Sequence, residues 1–227
     1  MPKVQRVQGV NVTGAPIDIP WTMRRRLSYE SLLKRLLDLL LAGLGLIAIF
    51  PVWLAIVIGV RLDSPGPAIF VQERVGQHGR PFRFYKFRSM YVDAEQRLAD
   101  VLAHNEIDGP VFKIRNDPRV TRIGAVLRRT SLDELPQLIN VLKGEMSLVG
   151  PRPPLSREVA QYRPADLARL QVRPGLTCLW QISGRSNVAF DQWMELDRQY
   201  VRNISFGLDL RILIRTVAAV LTMRGAY

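Results

Sequence analysis

Between Leu39 and Val60 the chain runs for 22 residues without a charge (LLLAGLGLIAIFPVWLAIVIGV). A helix crossing a bilayer needs about 20 apolar residues, so this stretch is long enough to enter a membrane. It starts too late, and lacks the small-residue cleavage pattern, to be a removed signal peptide. A buried core helix is the alternative; length and hydropathy favour insertion.

The flanks bear on how it inserts. Arg24, Arg25, Arg26, Lys34 and Arg35 precede the stretch, and Arg61, Arg74, Arg80, Arg83, Lys86 and Arg88 follow it. Basic residues stay on the cytoplasmic side, and one straight span cannot keep both ends there. Pro51, just past the middle, has no N–H for the Ile47 carbonyl, and its ring bends a helix. Pro51 with symmetric basic flanks predicts a re-entrant helix rather than a spanning one, although spanning helices also tolerate proline.

This divides the 227 residues into a loose polar tail (1–22), a basic flank with the membrane helix (23–62) and a cytosolic, membrane-apposed domain (63–227). The expected fold is α+β and mainly helical. Asp63-Ser64-Pro65-Gly66-Pro67 is a turn signal. Ala68–Gln72 and Phe82–Phe87 read as a hairpin around Gly76–Gly79, and Asp93–Ala103 as a polar helix. Val120, Ile123, Val126 and Leu127 recur at helical spacing among Arg119, Arg122, Arg128 and Arg129, a basic amphipathic helix. Leu135, Leu138, Ile139 and Leu142 mark another, closed by Lys143-Gly144. Leu210, Leu213, Ile214, Val217 and Leu221 form an apolar stripe beside Arg211 and Arg215. That pattern suits an interfacial helix and equally an ordinary core helix.

Composition excludes several chemistries. Cys178 is the only cysteine, so there is no internal disulfide, and with only His78 and His104 there is no Cys/His zinc site and little basis for a His-dependent triad. The net charge of +12 points to anionic partners. Of the 32 basic residues 27 are Arg, whose planar fork suits phosphate. A nucleic-acid binder would not need the apolar stretch, and no zinc-finger or RNA-binding signature is present, so no nucleic acid is expected. No Asp-x-Asp and no G-x-x-x-x-G-K-[ST] occurs, which disfavours a conventional metal-dependent glycosyltransferase and a P-loop kinase.

The densest chemical signal is Thr130–Pro154 (TSLDELPQLINVLKGEMSLVGPRPP). Ser131 and Glu134 match a capping box that would start a helix at Leu132, whereas Pro136 is comfortable only in a first turn. In either register Asp133 and Glu134 lie at a helix start, where the dipole favours ionised carboxylates. Such acids serve as nucleophile or metal ligand, or simply cap the helix and pair with Arg128 or Arg129. In Gly150-Pro151-Arg152-Pro153-Pro154, prolines on both sides restrict the backbone around Arg152, so little entropy is lost when it grips an anion.

From Ser64 to Tyr227 the chain resembles the bacterial sugar transferase family, the monotopic polyprenyl-phosphate phosphoglycosyl transferases. The matching pieces are Gly66-Pro67 with Gln72, Arg74 and Gly76; Lys86–Met90; Phe112-Lys113; Asp117–Thr121; Ser131–Pro136; and Gly150–Pro153. Arg173–Thr177 and Arg224–Tyr227 also fit. Several ordered motifs are far more specific than one.

The resemblance implies a hexose-1-phosphate transferase that begins exopolysaccharide or related glycan synthesis at the cytoplasmic face of the bacterial inner membrane. UDP-hexose and undecaprenyl phosphate would be the substrates, UMP the leaving product and Asp133 the nucleophile. It assigns Glu134 to Mg²⁺ and Arg128 and Arg152 to phosphate, with Lys86 and Arg88 as further phosphate candidates. It also implies a re-entrant helix kinked at Pro51; some members carry Ser before that proline, and here it is Phe50. Inner-membrane lipid is a further expected partner, and a homo-oligomer is left open. The alternative is a membrane-anchored, non-catalytic scaffold or regulator of glycan assembly.

Overall fold

The computed structural model describes residues 29–106, 109–112, 114, 116–184 and 188–222. The expected tail (1–22), Arg24, Arg25 and Arg26 of the first basic flank, Lys113 and Arg224–Tyr227 lie outside these residues.

The apolar stretch forms one helix, α1 (Lys34–Asp63), with Pro51 inside it. Its two faces differ. Asp38, Ala42, Ile56 and Val60 are buried and Ile49 and Trp53 partly so, whereas Leu36, Leu40, Leu44, Ile47, Leu54, Ile58 and Leu62 are exposed. Both sets recur at steps of three, four or seven residues, so one stripe meets the rest of the protein and the other does not. α1 is also the one helix among the described residues long and apolar enough to cross a membrane.

After Asp63 come β1 (Ile69–Val75) and β2 (Pro81–Phe87), an antiparallel hairpin pairing Ile69 with Phe87 through to Val75 with Pro81. The hairpin is as expected, with β1 starting one residue later and ending three residues later. The polar helix expected over Asp93–Ala103 shrinks to α2 (Leu98–Val101) and a 3₁₀ turn at Leu102–His104. Buried Arg119 takes the Ala94 carbonyl with Nη1 at 3.1 Å, withdrawing an acceptor that a longer helix would need.

α3 (Arg122–Thr130) is the basic amphipathic helix, N-capped by the Thr121 hydroxyl, which accepts from the Gly124 N–H at 3.0 Å. Ser131 ends it in the left-handed region (φ 60°), and Leu132–Glu134 follows as a 3₁₀ turn. α4 (Gln137–Lys143) starts only at Pro136 and stops at Gly144, φ 81°. The expected capping box therefore does not form: Ser131 closes the preceding helix, and Pro136, lacking an N–H, belongs at the next start.

The remaining elements are β3 (Ser147–Val149), α5 (Ser156–Val159), a 3₁₀ segment (Pro164–Gln171), β4 (Gly175–Thr177), α6 (Leu179–Ile182), α7 (Phe190–Asn203) and α8 (Phe206–Thr222). β3 and β4 pair in parallel, Ser147 with Gly175 and Val149 with Thr177. The chains then come too close for side chains: a Cβ on Gly175 would lie 2.0 Å from the Gly150 nitrogen. This explains why the Gly150 and Gly175 motifs occur in one sequence.

Three apolar clusters hold these pieces together. α1 enters two of them: Ala42 joins Phe84, Leu138, Val141 and Met146, and Ile56 and Val60 join Ala68, Phe87 and Leu127. Trp180, Trp193, Met194, Val188 and Cys178 form the third. In α8, Ile212 is fully buried while Leu210, Ile214, Val217 and Leu221 stay exposed, so four of the five stripe residues lie outside the core; Leu213 packs inward.

Candidate active site

Asn140, fully buried on α4, fixes the distance between the hairpin and the acid pair. Its Oδ1 accepts from the Tyr85 N–H at 3.2 Å and its Nδ2 donates to the Arg83 carbonyl at 2.6 Å, so it takes the place of a third strand beside β2. The next residue of β2, Lys86, then reaches the 3₁₀ turn ahead of α4. Lys86 Nζ lies 2.8 Å from Glu134 Oε1 and 3.4 Å from Asp133 Oδ2. The Phe84 ring lies 5.6 Å from Nζ and limits where the ammonium can go.

Asp133 is 6% exposed. Burial pushes its carboxyl above the ordinary aspartate range; the Lys86 ammonium opposes this, the Glu134 charge adds to it, and Arg128 opposes it more weakly. A carboxylate held back from water, yet kept ionisable by a touching cation, is a usable nucleophile.

Two unpaired guanidiniums lie nearby. Arg128, at the end of α3, acts electrostatically on Asp133 and feels Arg152 as a like charge. Buried Arg74 also feels Arg152, and with burial as the main cause its pKa falls to about 10. Neither Arg128 nor Arg152 makes a side-chain hydrogen bond or ion pair within the described residues. Guanidiniums gathered with their donors unused can take an anion between them.

The Arg152 loop is rigid in its backbone. The Gly150 N–H donates to the Thr177 carbonyl at 2.9 Å, and the Pro151 and Pro154 carbonyls accept from the Gly175 and Val75 N–H groups, each at 2.9 Å. Arg74 Nη1 donates to the Pro153 carbonyl at 3.1 Å.

Of the residues expected from sequence, Lys86, Asp133 and Glu134 are thus in contact, Arg128 lies within electrostatic reach of Asp133, and Arg152 within reach of Arg128. Arg88 has a different task. It is 4% exposed, and its guanidinium donates to the Pro67, Pro65 and Ser64 carbonyls and the Ser64 hydroxyl at 2.7–2.9 Å, closing the end of α1. With those donors engaged it has little left for phosphate. Pro51 lies in α1 on its exposed side.

Sequence reading gave no role to Asn140, and Arg74 entered only within a motif. A lone amide and a strand arginine carry no local signal; their partners are 55 and 79 residues away.

For a cation, the described residues contain no cluster of three or more His, Cys, Asp or Glu. Mg²⁺ is usually bound by one or two carboxylates with substrate phosphates and water, and the Asp133-Glu134 pair fits that pattern. The Lys86 ammonium already rests on Glu134, so positive charge is stabilised at this position.

Comparison with known proteins identifies the family. The family model for bacterial sugar transferases matches residues 29–223. A galactosyl transferase of Streptococcus agalactiae is 46% identical over 99% of this chain and 49% of its own length. The undecaprenyl-phosphate galactose phosphotransferase of Salmonella typhimurium is 44% identical over 86% of this chain and 42% of its own. The exopolysaccharide production protein ExoY of Rhizobium meliloti is 42% identical over 86% of this chain and 88% of its own. The chain thus spans about half, or less, of the first two relatives and most of the third. With its acid pair, arginine loop and apolar helix in the matched region, the chain belongs to the bacterial sugar transferase family.

Proposed function

We propose that this protein transfers hexose-1-phosphate from a UDP-hexose to undecaprenyl phosphate, releasing UMP, as the first membrane step of exopolysaccharide or related glycan synthesis. The observation that carries this reading is Asp133, buried against Lys86 and within the field of Arg128, which in turn feels Arg152.

An ionised Asp133 Oδ attacks the sugar-bearing phosphorus. The bond from that phosphorus to the UMP oxygen breaks, UMP leaves with the electron pair, and a phosphosugar remains on Asp133 as a mixed anhydride. A phosphate oxygen of the lipid then attacks the same phosphorus and Asp133 leaves as carboxylate. Both displacements occur at phosphorus, so the anomeric C–O bond stays intact and its configuration is retained. Arg152 and Arg128 hold the diphosphate, and Lys86 keeps Asp133 ionised until attack. Glu134 would hold Mg²⁺ with phosphate oxygens and water, and when bound the ion supplies charge neutralisation on the diphosphate and leaving group.

The acceptor stays in the bilayer, so the site must lie at the membrane surface, at the cytoplasmic face. α1 is re-entrant, with both ends on that side. Supporting this, one body holds both ends. Lys34 pairs with Asp209 on α8, Arg35 donates to the Val141 and Leu142 carbonyls, and Asp38 accepts from the Leu148 N–H. At the other end Arg88 closes the helix, and Asp63 Oδ2 accepts from the Ile123 N–H at 3.0 Å. The exposed stripe of α8, with Arg211 and Arg215 beside it, fits an interfacial helix.

The test is mass spectrometry of protein quenched with UDP-galactose or UDP-glucose before any lipid phosphate is added. A hexose-phosphate adduct on Asp133 is expected, with UMP in solution, and both should vanish in Asp133→Asn. Because burial penalises the ionised carboxylate, that variant should fold at least as well as the parent. Substantial turnover in a sequence-verified Asp133→Asn would instead favour direct attack by the lipid phosphate. No UMP release from any UDP-sugar would favour a scaffold.

A further inference from the structure

Behind the Arg152 loop lies an ion pair that the mechanism above does not use. Arg169, in the 3₁₀ segment Pro164–Gln171, and Asp197, on α7, pair at 2.9 Å with each side chain only 1% exposed. Arg169 Nη1 donates to the Tyr162 hydroxyl at 2.6 Å. The Tyr162 and Trp193 rings lie 5.5 and 5.4 Å from its guanidinium carbon.

Stability is a weak reason for such a pair. Desolvating two charges offsets most of their attraction, and well-packed apolar residues commonly do as well or better. What apolar residues could not supply is the remaining bond: Arg169 Nη2 donates to the Arg152 carbonyl at 2.7 Å. Pro151 and Pro153 restrict the backbone on either side, and this bond orients the peptide plane that follows Arg152. The Asp197 carboxylate, the Tyr162 hydroxyl and the two rings in turn fix Arg169, so the Arg152 side chain starts from a determined point and direction.

We infer that Arg169, held by Asp197, is a positioning residue for Arg152 and sets the backbone from which that guanidinium reaches the diphosphate of the UDP-sugar. This rests on the reading of Arg152 as a diphosphate contact. Arg169 touches no reacting atom; it acts through the carbonyl it binds.

A double-mutant cycle separates this role from a merely structural one. UMP release by the full chain is measured against UDP-galactose or UDP-glucose concentration, with undecaprenyl phosphate fixed, for the parent, Arg169→Lys, Arg152→Ala and the double variant. Lysine keeps the charge opposite Asp197 but loses the fork that reaches Tyr162 and Arg152 together. Arg169→Lys should raise KM for the UDP-sugar by roughly tenfold. Once Arg152 is alanine, the same change should add less than about twofold. Additive losses, or a fall in kcat at constant KM from a smaller folded fraction, would overturn the proposal. An Arg152→Ala variant with unchanged KM would overturn the underlying reading of Arg152, an outcome distinct from additivity. If Arg169→Lys loses its cooperative melting transition, Tyr162→Phe removes only the hydroxyl that receives Nη1 and goes through the same cycle. A smaller rise in KM, again absent without Arg152, is then expected, and additivity counts against the proposal as before.

Discussion

Lys86 touches both members of the acid pair, and its effect on Asp133 has a definite sign. Burial raises the Asp133 pKa and Lys86 is the largest influence lowering it. Replacing Lys86 with methionine keeps much of the stem and removes the charge, so the Asp133 pKa should climb further. A smaller fraction of Asp133 is then ionised at any given pH, and the acid limb of kcat/KM should move to higher pH. At neutral pH, kcat/KM should fall by roughly 10- to 100-fold, with part of the loss recovered as pH rises. The check is a pH–rate profile of UMP release for both proteins. An acid limb unmoved by Lys86→Met would remove Lys86 from the control of the nucleophile and leave it as a phosphate contact.

Helix ends dominate at the scale of elements. A helix leaves its last carbonyls without partners, and just past β2 one side chain, Arg88, reaches the Val60 carbonyl of α1 at 3.4 Å and satisfies the Ser64, Pro65 and Pro67 carbonyls of the turn that follows. Arg88→Met would strand those carbonyls, at a cost of about 2–4 kcal/mol. For a chain of this size that lowers the melting temperature by roughly 2–4 °C per kcal/mol. A melting curve of the purified protein in detergent, alongside KM for the UDP-sugar in the fraction still folded, separates the two roles open to this residue. A lower melting temperature at constant KM is expected. An unchanged melting temperature with a raised KM would return Arg88 to the phosphate-binding set.

For the molecule as a whole, the question is where α1 lies relative to the membrane. A spanning helix separates its ends by the roughly 30 Å hydrocarbon core. Here the catalytic elements hold Lys34, Arg35 and Asp38 at one end and Asp63 at the other, and α1 residues enter two of the apolar clusters between. Single cysteines near Arg26 and near Gln77, in a Cys178→Ser background, should both resist an impermeant thiol reagent added outside intact cells and react once the membrane is opened. Labelling of either probe from outside would replace the re-entrant arrangement with a spanning one.

How much of this was legible in the sequence depends on the range of each interaction. The apolar helix, the hairpin, the basic helix and its Gly144-capped successor rest on periodicity, turn residues and caps, which act within a few residues, and those signals were readable directly. The acid pair and the Arg152 loop were readable as motifs because their residues are adjacent. Folding decided the rest. The Ser131–Glu134 signature gave way because the same residues had to end α3, and the Asp93–Ala103 helix shortened where Arg119 took the Ala94 carbonyl. Arg88 and Lys86 stand two residues apart at the end of one hairpin, yet one closes α1 and the other meets the carboxylates. Local pattern cannot separate two cations so placed; the partners that do so lie 21 to 48 residues away in the chain. Only the tertiary structure brings those partners together, because a charged side chain's task is set by what its buried neighbours leave unsatisfied.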